Sequence, residues 1–595
     1  MAEEIHVVVR PCSLGLLILC GALAWPACAD LLPPGSQSLF NSTERIRGFD
    51  PVTTSDTTGI AAICKVYEGL YEYEYLARPY ELKPMLAEGM PEISADRLTY
   101  TFRLKKGVNF ADDPCFSGGK GRELVAEDFV YSIKRLADLK NLSPRFYNLE
   151  GRIAGLDEYR AESGKRRVSY DEPVEGVQVL DRYTIQIKLK EPFPQLVYTL
   201  TQSETFPVPR EAVEFYGQEF LNHPVPDGPF RLARWKWRNY AIEFERNRQY
   251  HGDTYPVRGA PGDRERGLLD DAGGPLPLLD KITQYVIADD STEWLMFLTG
   301  GLGMSGISRQ NFDAVLSTQF ALTPELKARG IWLDKSPRLA TYYVGFNMED
   351  PVVGPNKKLR QALACAVDWE KWVRFYNNRQ LAAKGILPPG VAGNGFDLPA
   401  VFAFDLERAR RLLAEAGYPN GVDPKTGRRL LLTMESPSAA DVEERQTTAL
   451  LISFWEQIGV EVRPSYNNWP EFLKKLERKE CQMYRVGWVV DSPDAYYFLL
   501  LFYSKNISPG PNNSNYNNPE FDRLFEQARV LDDSTERTRL YRQMEAIAVE
   551  DCSAIFLTHP LAYGLFQPWL KNFKYHDRPY SNTKFYKIDP ALRQR

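Results

Sequence analysis

An α/β fold divided into two or three lobes is what this chain predicts, on three observations. Between residues 430 and 490, apolar and β-branched runs alternate with helical patterns. A run at 430–434 is followed by a helix over about 441–458, a run at 460–464, a second helix over about 469–478, and a run over 481–490. Elsewhere the period is two: 98–110 alternates apolar with polar residues and turns at Gly107, and 241–245 alternates likewise. Finally, 595 residues are too many for one core and suffice for two large or three smaller ones.

The stretch 481–494 changes character within a few residues. Tyr484, Val486, Trp488, Val489 and Val490 are aromatic or β-branched and read as a buried strand. The run then breaks into Asp491-Ser-Pro-Asp494, a turn cluster that sets a carboxylate at the strand's carboxyl end. In an open α/β sheet that end is where ligands bind. The plain alternative is a core strand followed by a solvated acidic turn.

Taken in order, the chain opens with an apolar run of signal-peptide length, Leu14 to Leu23, and Ala27-Cys-Ala29 supplies a small-x-small cleavage site. A secretory signal cleaved after Ala29 is expected, although Glu3 and Glu4 reduce the usual positive charge of its first part. Cys28 raises lipid anchoring as an alternative, but Trp25-Pro26 stand where a lipobox wants Leu and a small residue. Over 124–136, Phe129, Ile133 and Leu136 recur at helical spacing. Residues 255–279 are rich in Gly, Pro and charge without periodicity and read as a long surface loop. Leu359, Leu363 and Ala366/Val367 form one apolar stripe that Asp368 can stop while capping the next helix, and Asp405 caps a similar stripe through Leu412 and Leu413 that ends at Gly417.

Composition narrows the function classes. A formal charge of −5 with no long basic run leaves no footprint for nucleic acid. After removal of the signal the cysteines are Cys64, Cys115, Cys365, Cys481 and Cys552. Of these, Cys64 and Cys115 are the pair open to a bridge in an oxidising compartment. His6, His223, His251, His559 and His576 are scattered without ligand spacing, so no metal site is expected. Gly301-Leu-Gly-Met-Ser-Gly306 matches GxGxxG formally, but a helical pattern precedes it and Thr323 stands where an acidic residue would belong. Gly118-Gly-Lys-Gly121 lacks the Ser/Thr of a phosphate loop. No GxSxG elbow appears, which leaves a secreted hydrolase without support.

Several segments, in order, resemble the family 5 extracellular solute-binding proteins, the peptide-binding components of ATP-driven importers. They are Asp50-Pro51, Val66-Tyr-Glu-Gly-Leu70, the 124–136 helix, Asp227-Gly-Pro-Phe230 with Asn247 and Tyr250, Tyr342-Tyr-Val-Gly-Phe-Asn347, Leu359-Arg-Gln-Ala362, Arg485 to Asp494, and Asn513 to Asp522. The slot at Gly303 departs from the family, which carries Asp there.

The resemblance implies a two-lobed periplasmic-binding-protein-like fold with an extra α+β subdomain. The expected division is a first lobe over 30–336 with its subdomain at about 84–205, a second lobe over 337–556, and a return to the first over 557–595, where His559 would be a hinge-side structural residue. It implies a periplasmic monomer without a cofactor, binding a short peptide and meeting the membrane permease of an ABC transporter. Asp491 would hold the ligand's α-amine and Arg485 its carboxylate, Gly487 would permit close backbone approach, and Trp488 would either line the cleft or join the core. Since the family also includes binders of sugars and nickel complexes, a non-peptide solute is the alternative.

Overall fold

The computed structural model describes residues 36–593 apart from 44–45, 55, 236–240, 288, 308–310, 318–320, 395–402, 438–441, 468, 491 and 577–580. The expected signal peptide, with Cys28, lies outside the described residues, and so does Asp491.

Two large hydrophobic cores organise the fold. One gathers residues from Leu39 to Ile282 together with Phe566 to Ile588, the other residues from Leu339 to Leu557, and a smaller cluster from Phe297 to Ile331 lies beside them with Leu565. The second core is built on the alternation read in the sequence. Strands Leu431–Ser436, Glu461–Tyr466 and Met483–Val489 are joined by helices Val442–Glu456 and Trp469–Glu477, and Leu431–Ser436 pairs in parallel with both of the other strands. Parallel strands need a crossover long enough to return the chain, which these helices provide. Trp455 and Trp372 are fully buried, and Trp455 Nε1 donates to Leu363 O at 3.0 Å, tying the crossover helix to helix Lys357–Cys365. Asp368 and Asp405 cap their helices as the sequence predicts, accepting from Lys371 N at 3.0 Å and Arg408 N at 2.8 Å.

The first core carries a four-stranded sheet in the order Ser38–Thr43, Lys281–Val286, Ala241–Arg246, Phe230–Trp235. A second four-stranded sheet, antiparallel throughout, runs Glu92–Ile93, Thr99–Arg103, Thr184–Lys188, Val177–Asp181, with helix Ala126–Ala137 against its last two strands and helix Leu156–Ser163 against that helix. The 98–110 alternation therefore yields a shorter strand than expected, and the chain then turns at Gly107, whose φ of 77° favours glycine.

The cores are joined by strand Ala554–Phe566. Its first half pairs with Ala340–Phe346 and its second half with Trp332–Pro337. Between the two halves His559 is buried, with Nδ1 3.0 Å from Thr341 Oγ1. Thr341 Oγ1 donates to Ile386 O at 2.7 Å, so the imidazole is the donor to Thr341. Burial pushes the His559 pKa down to about 4, so the ring is neutral and structural.

Residues 255–279 form turns lying mostly at the surface, as the sequence reads, and the segment is anchored. Asp253–Thr254 pairs with Pro275–Leu276 at the base, Tyr255, Leu268 and Leu279 are buried, and Asp263 meets Lys574 at 2.6 Å. Anchors this far apart in sequence leave no periodic pattern. Cys64 and Cys115 are both thiols rather than a bridge, and the other three cysteines among the described residues are thiols as well. Gly303 is a packing position: a Cβ there would lie 2.8 Å from Leu39 and 3.0 Å from Trp569.

A buried charge cluster fastens the returning chain to the first lobe. Lys584, fully buried, lies 2.9 Å from Glu72, 3.0 Å from Asp253 and 3.4 Å from Glu68. Lys83 meets Glu72 at 2.9 Å and Asp253 at 3.0 Å, while Glu68 accepts from Tyr250 Oη at 2.8 Å and faces His251 Nε2 at 2.8 Å. Burial opposes the Lys584 charge, and the carboxylates of Glu72, Asp253 and Glu68 outweigh it, holding the ammonium above the ordinary lysine range. Lys584→Met should cost about 3–5 kcal/mol in urea denaturation, because it leaves the buried carboxylates short of a counter-charge. A loss below about 1 kcal/mol would show that the cluster does not hold the lobe together.

Glu545 presents the opposite case. Its Oε1 accepts from Leu387 N at 2.8 Å, its Oε2 has no hydrogen-bond partner, and burial pushes its pKa up to about 8. The folded protein thus holds a proton that the unfolded chain releases above about pH 4.5. This contribution is complete below that pH and is lost as pH rises through 8, at about 1.4 kcal/mol per pH unit. Glu545→Gln should flatten the pH dependence of stability between pH 5.5 and 8.5 relative to the parent. Equal slopes in denaturation series would refute a neutral Glu545.

Candidate functional site

Strand Met483–Val489 lies inside the eight-stranded sheet beside Ala340–Phe346, and their antiparallel register opposes Tyr342 to Gly487 and Gly345 to Tyr484. Each tyrosine ring covers the glycine opposite. A Cβ at Gly487 would sit 2.6 Å from the Tyr342 ring, and one at Gly345 2.2 Å from the Tyr484 ring. The room at Gly487 that the sequence assigns to a ligand's backbone is taken on that side by Tyr342. A signal for this was present: Tyr-x-x-Gly occurs at both 342–345 and 484–487, and antiparallel pairing sets each Tyr against a Gly.

Arg485 is buried against helix Val442–Glu456, where its guanidinium pairs with Glu444 through Nη2 and through Nε at 3.2 Å. Ser436 Oγ donates to the same carboxylate. A buried guanidinium requires a counter-charge, and Glu444, 41 positions upstream, supplies one that no local pattern announces. Trp488 packs against the second core and donates from Nε1 to Tyr497 O at 2.8 Å, which ties the strand to the segment that follows it.

That following segment meets the first lobe. Ser492 is buried and its Oγ accepts from Tyr73 Oη at 3.5 Å, while the Tyr497 side chain hydrogen-bonds Thr199. Asp491 stands between Val490 and Ser492 in the chain and is the one expected site residue outside the described set. Asp494, its partner in the acidic turn, is used internally: it accepts from Tyr496 N at 2.9 Å, Arg537 Nη2 at 2.7 Å and Tyr541 Oη at 3.0 Å. Opposite the turn, Tyr73 has the rings of Tyr80, Tyr198 and His576 within 6.0, 6.4 and 5.5 Å, and Arg78 lies 4.3 Å over Tyr80. None of these first-lobe aromatics is marked by periodicity.

The carboxyl end of this strand thus meets an aromatic wall on the other lobe, an arrangement suited to enclosing a ligand. Among the described residues no group of three or more His, Cys, Asp or Glu side chains is arranged to hold a metal ion. Among the same residues no helix is long and apolar enough to cross a membrane.

Comparison with known proteins agrees. The heme-binding protein A of Haemophilus influenzae is 26% identical over 558 residues, spanning 91% of this chain and 90% of that protein. The periplasmic oligopeptide-binding protein OppA of Escherichia coli is 24% identical over 551 residues, with 91% and 90% covered. The solved structure of HbpA2 from Haemophilus parasuis superposes with a TM-score of 0.76 at 23% identity, covering 93% of this chain and all of that one. The model of the bacterial extracellular solute-binding proteins, family 5, matches residues 81–510, and the chain belongs to that family.

Proposed function

We propose that this protein captures a short peptide between its two lobes outside the cytoplasm and delivers it to the membrane permease of an ATP-driven importer. The observation that carries the reading is the position of the turn after strand Met483–Val489, which touches the first lobe through Ser492 and Tyr73. A ligand held there contacts both lobes at once, and its binding energy favours the closed arrangement. The oligopeptide-binding relative supports a peptide as the solute. The chemistry is recognition rather than catalysis, and the protein acts as a monomer after cleavage of its signal peptide behind Ala29.

In this reading Asp491 takes the peptide's ammonium. Arg485 meets the carboxylate by exchange, the ligand replacing part of the Glu444 contact. Gly487 and Trp488 serve by shaping the strand, the first by accommodating Tyr342 and the second by holding Tyr497.

Asp491→Ala should weaken a pool of tri- to pentapeptides by a hundredfold to several thousandfold in isothermal titration, since an ammonium left unpaired in a closed cleft costs about 3–5 kcal/mol. Asp491→Asn should weaken free-amine peptides and spare their N-acetylated counterparts. Equal affinity of parent and both variants would refute the assignment. An uncharged solute as the true ligand would remove the split between free and acetylated peptides.

Closure itself is open to measurement. Small-angle scattering should give a smaller radius of gyration with peptide than without. An unchanged radius accompanied by consumption of the peptide would overturn both the closure and the binding role.

A further inference from the structure

Residues 406–429 carry six Lys and Arg against three Asp and Glu, in a chain whose overall balance is 73 against 78. Positive charge is thus gathered in one place on an acidic protein. The segment is helix Leu406–Glu415, a stop at Gly417, and a hairpin in which Val422 faces Arg429.

The fold brings helix and hairpin to one end of the second lobe. Asp423 N donates to Arg428 O at 2.9 Å and Gly427 N to Asp423 O at 2.8 Å, closing the hairpin, while Arg410 Nη2 donates to Gln457 O at 3.0 Å. A Cβ at Gly421 would lie 2.1 Å from Gly459 O, so the root of the hairpin is pressed against the turn after Gln457. These contacts sit at the amino ends of strands Leu431–Ser436 and Glu461–Tyr466, which are parallel to each other, and Leu431–Ser436 is parallel to Met483–Val489 as well. The patch therefore lies at the opposite end of the sheet from the turn at 490–494.

Local counter-charge is mostly committed. Glu415 pairs with Lys358 at 2.8 Å, Glu461 with Arg463 at 3.3 Å, and Asp423 accepts from Lys425 N at 2.8 Å and Thr426 Oγ1 at 3.0 Å. Arg410, Arg411, Lys425, Arg428 and Arg429 are exposed, and among the described residues none of them makes an ion pair with a carboxylate. That leaves exposed Glu407 and Glu456 against five exposed cations. Cations standing out from an exposed hairpin and helix suit an extended anionic surface, whereas one small anion needs donors that converge on a point.

We propose that this end of the second lobe docks on anionic phospholipid at the membrane surface, its Lys and Arg side chains meeting the lipid phosphates. The use of such docking rests on the function proposed above: a carrier held at the membrane meets its permease by a search in two dimensions, with the strand ends that hold the solute left free. The docking itself needs neither peptide nor permease.

The test uses the full mature chain without peptide, and vesicles collected by centrifugation. At low salt the protein should sediment with vesicles of phosphatidylglycerol and phosphatidylcholine in equal parts and stay in solution with phosphatidylcholine alone. Salt near the physiological level should weaken the binding, because exposed charges are screened beyond about 8 Å there. Each Lys or Arg at such a surface is worth roughly fivefold in partition, so Lys425→Gln, Arg428→Gln and Arg429→Gln together should weaken binding by about a hundredfold with the melting profile unchanged. Glutamate at the same three positions should weaken it further. Arg47→Glu, Arg167→Glu and Arg248→Glu, at exposed positions of the first lobe, give the same change of net charge as the glutamate set and should lose far less. No binding by the parent, equal binding to neutral vesicles, or equal loss in the two glutamate sets overturns the docking face. Binding to poly-glutamate without binding to vesicles assigns the patch to an acidic protein and overturns the membrane reading. Failure of peptide capture leaves all of these outcomes untouched, so the two readings fall separately.

Discussion

The shared pairing of strand Ala554–Phe566 is the constraint on which the two-lobed arrangement depends. One strand serves both lobes, hydrogen-bonding to Ala340–Phe346 in one half and to Trp332–Pro337 in the other. The partner of this strand changes around Arg338-Leu339 and His559-Pro560. Those residues are not slack. Arg338 N donates to Pro560 O at 2.9 Å, and the neutral His559 is held through Thr341 to Ile386, next to the backbone that Glu545 receives. A crossing whose side chains are buried and whose backbone is bonded fixes how the two cores sit against each other, because packed interiors are not continuously deformable.

A second constraint fixes what the crossing joins. The returning chain is anchored to the first lobe by Lys584 among Glu68, Glu72 and Asp253, and two positions after Glu72 the backbone leaves the short strand Tyr71–Tyr73. Tyr73, which touches Ser492 across the gap, thus stands on the same strand as Glu72. The charge cluster and the aromatic wall share a backbone, so the electrostatics that close the first lobe also aim its contact with the second. Such a buried cluster contributes position more than stability, since desolvation consumes most of the Coulomb attraction.

The parts of this structure that local patterns encode were legible in the sequence. Helices and parallel strands between 430 and 490 follow their periodicity, and Asp368 and Asp405 cap as their positions predict. What stayed hidden is long-range. Glu444 neutralises Arg485 from another element, Tyr342 fills the space at Gly487 from the neighbouring strand, and Tyr255, Leu268 and Leu279 anchor a segment with no period. Each is a contact between residues that only tertiary folding brings together. Pairing choices among dozens of carboxylates or tyrosines cannot be resolved by spacing along one chain. The candidate site was accordingly legible as a place, the carboxyl end of one strand, and only partly as a set of contacts.

The contacts across the gap decide how closure is driven. Arg97 and Asp532 keep 35% and 56% of their side-chain surface exposed, and exposed ion pairs contribute about 0–1 kcal/mol under salt. Glu191 bridges Arg529 of the second lobe and Arg152 of the first, but it too is solvated, and Tyr73 reaches Ser492 only at 3.5 Å. Contacts of this kind align the lobes without locking them. To move a two-state equilibrium from mostly open to mostly closed takes about 5.5 kcal/mol of differential affinity. Peripheral polar pairs of this strength do not supply it, so the larger part has to come from a buried ligand that touches both lobes. A cleft whose own surfaces bound each other tightly would close empty and exclude its solute; a weak polar rim around an aromatic wall leaves that energy to the ligand.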